Sequence, residues 1–516
     1  MNVPLPVFVM VPLMAAFVLP LFGVKGKSAA TALANAVTIA LLVLAVLAAV
    51  HLADVRTADN PNPREVYEVG RHAIPLGINM VLDGLSCLLL LTISVVAAAA
   101  MTFSIRYMEQ YTAKSKYLSL FLLMVAGMNG VVLSGDIFNL FVFLEIASIA
   151  SYALVGFGCE HEELEACFKY MVLGTIASAF ILFGIGLVYG NTGSLNMAYI
   201  ARSIRSSGVN PGLAFALALF VAGFGLKAAL VPFHAWLPDA HPSAPAPISA
   251  MLSGVLIKSL GVYALARVVF NVFGVWPAIA WVLIALGVAS MVIGVFLAVG
   301  QWDFKRLLAY HSISQMGYVV LGIGLGALIL ARGGSTAWAS LAILAGLFHL
   351  VNHAVFKSLL FLASGSVEMA TGTRQLKKMG GLALKMPLTR TTATIASAAI
   401  AGVPPFNGFW SKLVLVIAAA QAHFYGLAAV TVLVSLVTLI SFLKVQRYVF
   451  LGELPDHLKQ TRDNGGSMFA ASAFLAALCV LMGLLLLIPA LRANVLDPAV
   501  AALTAGIDYA ALAKDI

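Results

Sequence analysis

The chain reads as an all-α polytopic membrane protein of about 14 transmembrane helices, with two inverted five-helix repeats and broken helices seven and twelve. Three observations predict this. The composition is 62% hydrophobic and only 10% charged, whereas soluble domains carry about 25% charged residues. Apolar runs of membrane-spanning length, about 20 residues, recur along the whole sequence. Two of those runs are overlong and interrupted by proline, which removes a backbone donor and clashes with the preceding turn. No alternation of period two appears, so a closed barrel is disfavoured.

Spans at 5–23, 29–53 and 78–104 make an N-terminal group within residues 1–110. No basic region precedes the first span and no small-residue cleavage site follows it, so a retained helix is expected rather than a signal peptide. Spans at 117–134, 136–158, 168–190, 212–240 and 246–272 form the first five-helix unit, residues 111–272. Spans at 274–298, 307–331, 338–367, 388–423 and 426–450 form the second, residues 273–452. A last span at 467–491 and a tail complete residues 453–516. The seventh span holds Lys227, Pro232 and Pro238, and the twelfth holds Pro404, Pro405, Gly408 and Lys412. Interrupted helices at matching positions of two halves point to a transport site. A repeat of five helices is odd, so the second unit is inverted relative to the first. The sequence symmetry is loose, because the lysine precedes the prolines in one unit and follows them in the other.

Loop charge sets the orientation. The odd connections carry Lys25 and Lys27, then Arg106, Lys114 and Lys116, then Lys169, Lys305, Arg306, Arg374, Lys377, Lys378, Lys385, Arg390, Arg447, Lys459 and Arg462. The even connections hold fewer, mainly Arg56, Arg64, Arg71, Arg202, Arg205 and Arg332. The positive-inside rule puts the odd loops in the cytoplasm and both termini outside. The net charge of +9 is therefore a topology signal, and no basic run outside these loops suggests nucleic acid. Cys87, Cys159, Cys167 and Cys479 lack C-x-x-C spacing, so they do not suggest iron–sulfur or zinc ligation. No phosphate-binding glycine motif is present, and no cofactor is expected.

Against this apolar background stand Glu145, Lys227, Lys258 and Lys412, each inside a predicted span. A charge at the bilayer centre costs roughly 2.5–3.5 kcal/mol on insertion scales and marks ion or proton pathways. Glu145 must be paired or protonated, and Lys227 is its expected partner, a structural ion pair being the plainer alternative. Lys258 lies well inside span eight, too deep to snorkel, where a lysine can load and release a proton. His349, His353 and Lys357 follow at i, i+4 and i+8, a stripe about 12 Å long; histidine suits a relay near neutral pH. Metal binding by the two histidines is disfavoured, since no acidic third ligand adjoins them. His311, with Tyr310, Ser312, Ser314 and Gln315, lines a path or holds helices together. Asp136 is a helix-end residue or a group that admits protons.

The runs GDIFNLFVFLEIASIASYAL, GLKAALVPFHAWLPDAHPSAPAPISAMLSGVLIKSLGVYAL, DFKRLLAYHSISQMGY, NHAVFKSLLFL and GVPPFNGFWSK resemble the antiporter-like subunits of respiratory complex I, membrane-bound hydrogenases and Mrp-type cation/proton antiporters. The resemblance covers roughly residues 78 to 450. It implies fourteen core helices and a proton relay in which Glu145, Lys227, Lys258, His353 and Lys412 match the family's functional positions. One complex I subunit type has glutamate at the position of Lys412, whereas lysine fits the other types and the D-type Mrp subunit; the chain looks most like the Mrp D-type or hydrogenase-linked members. The chain ends soon after span fourteen, without the long lateral helix of the largest complex I subunit, so that type is disfavoured. The implied setting is the inner cell membrane of a prokaryote, with other membrane subunits and lipid as partners. Protons are the expected cargo, and any Na+ is handled elsewhere in the complex. The alternative is the pumping arm of an NADH/quinone oxidoreductase; in either case the chain carries no redox centre of its own.

Overall fold

The computed structural model describes residues 4–22, 26–57, 60, 62–72, 74, 75 and 77–512. Lys25, one of the basic residues used for orientation, lies outside them. The helices in chain order are α1 (Val7–Phe22), α2 (Lys27–Asp54), α3 (Gly84–Gln110), α4 (Lys114–Leu133), α5 (Ile137–Val155) and α6 (His161–Thr192). Next come α7 (Met197–Ser207), α8 (Pro211–Lys227) and α9 (Leu237–Ser243), then α10 (Ala246–Phe273), α11 (Pro277–Val299), α12 (Phe304–Ala331) and α13 (Thr336–Thr371). The series closes with α14 (Pro387–Ala401), α15 (Asn407–Gln421), α16 (Tyr425–Phe450), α17 (Ser467–Leu487), α18 (Pro489–Val495) and α19 (Asp497–Thr504). Among the described residues eleven helices are long and apolar enough to cross a membrane. The other three expected spans are the short α1, the α8–α9 pair and the α14–α15 pair, whose halves are each cut short by the breaks.

Both breaks fall where proline predicts them, and their backbones match. After α8, Ala229 takes φ 54° and Leu230 N–H donates to the Gly225 carbonyl at 2.9 Å. After α14, Gly402 takes φ 78° and Val403 N–H donates to Ala398 at 3.0 Å. Phe233 and Phe406 then close matching turns onto Leu230 and Val403. A cis peptide bond precedes Pro232 and Pro405. The symmetry that looks loose in sequence is thus close in the backbone.

A second correspondence starts α5 and α12. Asp136 caps α5 by accepting from Asn139 N–H at 2.8 Å, and Asp303 caps α12 from Arg306 N–H at 2.9 Å. Ile137 N–H donates to the Leu195 carbonyl and Met197 N–H to Gly135. Phe304 N–H donates to Arg374 and Leu376 N–H to Trp302 in the same way.

The middle of the bundle is α10, α12 and α13, buried over most of their length, while α2, α6 and α16 bury the smaller part of theirs. Small residues allow the central helices to approach closely. A Cβ on Gly322 of α12 would sit 2.7 Å from the backbone nitrogen of Gly346 on α13. α10 is π-helical over Leu252–Tyr263, a distortion often found at functional sites.

Some structure goes beyond the sequence expectation. A two-stranded hairpin, β1 (Glu65–Glu68) with β2 (Asn79–Leu82), lies between α2 and α3. The chain after α17 folds back, and Asn271 of α10 donates to the Ala502 and Gly506 carbonyls at 2.8 and 3.0 Å. Beneath it Arg267 pairs bidentately with Asp83 at 2.7 and 2.8 Å, and Tyr509 lies 5.5 Å from the guanidinium. Burial alone would raise the Asp83 carboxyl, but the Arg267 charge and hydrogen bonds prevail and lower it to about 2.

Candidate functional site

Lys227 is the last residue of α8, so the break that follows releases its backbone neighbours and lets its side chain reach α5. Its Nζ lies 3.7 Å from Glu145 Oε1. Shorter bonds come from neutral groups one and two turns along α5: Nζ donates to Ser148 Oγ at 2.9 Å and to Tyr152 OH at 3.2 Å. Glu145 in turn accepts from the Ser178 hydroxyl of α6. The expected pair therefore forms, but loosely, with a cradle of hydroxyls that composition did not reveal. Glu145 is also not deeply buried: its side chain is 28% exposed against 4% for Lys227, because α5 presents it toward the apolar outer flank of α5 and α6.

Aromatic packing ties this pair to the break. Tyr152 meets Tyr170 edge-on at 4.6 Å, and Tyr170 stacks on Trp236 at 4.2 Å. Trp236 sits in the broken segment and donates to the Leu226 carbonyl at 3.0 Å, beside Lys227.

Lys258 is fully buried on α10. Its Nζ donates to the Ser253 carbonyl at 2.6 Å, a group one π-turn earlier. Ser253 Oγ meets Ser312 Oγ of α12 at 2.7 Å. On α13, His349, His353 and Lys357 share one buried stripe. His349 bonds Gln315 Oε1 through Nε2 at 3.1 Å and Ser411 Oγ through Nδ1 at 2.9 Å. Ser411 precedes Lys412, whose Nζ donates to the Ile400 carbonyl at 2.8 Å and Ser435 Oγ at 3.1 Å and faces the Tyr318 ring at 5.0 Å. Ile400 is an α14 carbonyl beside the second break. His311 bonds Ser441 Oγ of α16 at 2.7 Å.

The centre is polar and sparsely paired. Both ring nitrogens of His353 and of His241, and the ammonium of Lys357, are buried without a hydrogen-bond partner among the described residues. Leaving a buried donor or acceptor unmade costs roughly 1–3 kcal/mol, and protein interiors meet such a need with ordered water. His241, on α9, carries no signal in its proline-rich run; its ring lies 4.7 Å from Phe361. His349 reaches the helix of Lys412 through its bond to Ser411, the residue before that lysine, whereas among the described residues His353 makes no side-chain hydrogen bond.

Asp136 stands apart as the α5 cap, with its carboxyl raised by burial and partly offset by the Asn139 N–H. At the other end of the bundle Lys305, a loop charge by sequence alone, is buried and pairs with Glu368 at 2.9 Å. Arg374 lies 3.3 Å from Asp303 and 3.7 Å from Glu368, between clefts of about 720 and 680 Å³. Among the described residues no group of three or more His, Cys, Asp or Glu side chains gathers as a metal would need.

Residues 134–438 match the model of the transmembrane family described as NADH:quinone oxidoreductase/Mrp antiporter, and residues 69–118 match the N-terminus of complex I chain 5. The chain is 35% identical over 419 residues to the D-type component of the Na(+)/H(+) antiporter of Alkalihalophilus pseudofirmus, covering 81% of this chain and 82% of that protein. It is 37% identical over 417 residues to the N-type component of the NADH-quinone oxidoreductase of Desulforudis audaxviator, covering 80% of each. Among solved structures, it resembles a chain of the Mrp complex from Dietzia sp. with a TM-score of 0.86, 31% identity and 97% coverage of both. A chain of an archaeal membrane-bound sulfane sulfur reductase gives 0.85, at 33% identity and 98% and 99% coverage.

Proposed function

The chain belongs to the NADH:quinone oxidoreductase/Mrp antiporter family of membrane subunits, and from that premise we propose that it carries protons along a buried polar line, as the D-type component of a multisubunit cation/proton antiporter. The observation that carries the reading is the Glu145–Lys227 contact at the first break, loose enough at 3.7 Å to open and close. When the pair is closed, the carboxylate holds Lys227 protonated. When it opens, the hydroxyls of Ser148 and Tyr152 remain, and the proton passes toward Lys258. His353, His349 and the unpartnered groups around them lead on to Lys412 at the second break. Positive loop charge supports cytoplasmic odd loops and external termini, and bacterial and archaeal relatives support a prokaryotic cell membrane. Exposed Val142 and Ile149 beside Glu145, at 40% and 62%, support a neighbouring membrane subunit on that flank.

The second reading is the pumping arm of a quinone oxidoreductase, which the Desulforudis relative favours. Everted vesicles containing the intact complex separate the two. A sodium pulse collapses a preformed pH gradient, with no redox substrate present, if the antiporter reading holds. Proton uptake that needs quinone and ignores sodium would instead establish the second.

A further inference from the structure

Where α2, α3 and α4 meet, a cleft of about 530 Å³ opens away from the polar line, within the usual 300–1,000 Å³ of small-molecule sites. Lys27 and Lys114 line it together with Ser28, Asn35, Tyr111 and Glu109. Lys114 is 8% exposed and donates to the Ile105 carbonyl at 2.7 Å, which fixes its ammonium and leaves two of its three donors uncommitted. Among the described residues neither lysine forms an ion pair with Glu109 or any other carboxylate. A half-buried pair of cations opposed by one unpaired carboxylate is an incomplete electrostatic arrangement.

The helix that carries Lys27 continues the pattern in apolar form. Lys27, Thr31 and Asn35 begin a ridge of i+4 steps that turns about 40° at each step, from the cleft side, where Thr31 is buried, to the exposed side, where Ile39 (51% exposed), Val43 (52%), Leu47 (39%) and Val50 (54%) lie. A polar cationic cup thus opens onto an exposed apolar track along one helix. We propose that this cleft binds the headgroup of an anionic phospholipid, its phosphodiester between Lys27 and Lys114 and its acyl chains along α2. Basic pockets between transmembrane helices recognise such headgroups. A zwitterionic lipid brings its own ammonium against the two lysines and fits less well. The inference does not depend on the proton relay.

Native mass spectrometry of the full chain in non-ionic detergent tests this, titrated separately with phosphatidylglycerol, phosphatidylcholine and inorganic phosphate. The first phosphatidylglycerol is expected to bind at about tenfold lower concentration than phosphatidylcholine, an attraction on the order of what two lysines supply. Lys27→Glu should remove that preference without lowering thermal stability, since Lys27 makes no tertiary ion pair among the described residues. Lys378→Glu, an exposed loop change, should leave it intact. Millimolar inorganic phosphate should not displace the lipid. Equal binding of the two lipids, an unchanged preference in Lys27→Glu, an equal loss in Lys378→Glu, or displacement by phosphate alone would each overturn the proposal.

Discussion

The ammonium of Lys227 lies nearer to two neutral hydroxyls, at 2.9 and 3.2 Å, than to its carboxylate at 3.7 Å. In the proposed relay the hydroxyls would hold the lysine when the ion pair opens, so that the buried cation keeps two acceptors. Tyr152→Phe removes the hydroxyl oxygen that accepts from the charged ammonium, a bond worth roughly 1.5–3 kcal/mol, and should slow translocation about tenfold or more in reconstituted vesicles with assembly unchanged. An unaltered rate would mean that the Tyr152 hydroxyl takes no part. The pairing itself is legible in sequence, because Glu145 lies deep inside its predicted span and Lys227 borders a proline break. The hydroxyl cradle is not. Serines and tyrosines in apolar helices are usually interhelical glue, and nothing in their spacing separates Ser148 or Ser178 from the rest. His241 is hidden for a different reason: prolines around it spell loop, while the fold makes it a short buried helix.

At the scale of elements, the two breaks are variations on one backbone. Prolines announce both, but the lysines sit on opposite sides of the break in sequence and conceal how closely the turns match. Ala229 and Gly402 occupy the same left-handed position, at φ 54° and 78°. A side chain at 402 would also come within 3.1 Å of the Lys412 Cδ. Gly402→Ala should therefore cost about 1–3 kcal/mol of strain and displace Lys412, lowering transport more than assembly. Transport kinetics beside the yield of intact complex would show the split; equal losses in both would contradict it. The hairpin and the folded-back tail are illegible in sequence because neither has the length or the strong periodicity that makes a helix readable.

Across the whole molecule, buried polar groups stand in the central helices, and ionic clusters stand at the two ends of the bundle. At one end Asp83 and Arg267 hold the tail, with the Asp83 carboxyl lowered to about 2 from its ordinary 3.8. A carboxyl depressed in the folded state contributes stability above its unfolded value, and that contribution is lost as pH falls through the folded one. Thermal stability in detergent should hold down to about pH 4 and then decline toward pH 2. Asp83→Asn strands the buried Arg267 and should cost about 3–5 kcal/mol at neutral pH, flattening the acid limb in the same melting series. A variant as stable as the parent would show that the tail is held by packing alone.

In the proposed relay, protons cross the middle of the chain on Lys258, fully buried and held by the Ser253 carbonyl at 2.6 Å. Every other step leads to this ammonium or away from it. The decisive measurement is proton flux in proteoliposomes containing the assembled complex with Lys258→Ala. Translocation should be abolished while the complex assembles in normal yield. Flux retained in that variant would contradict the relay.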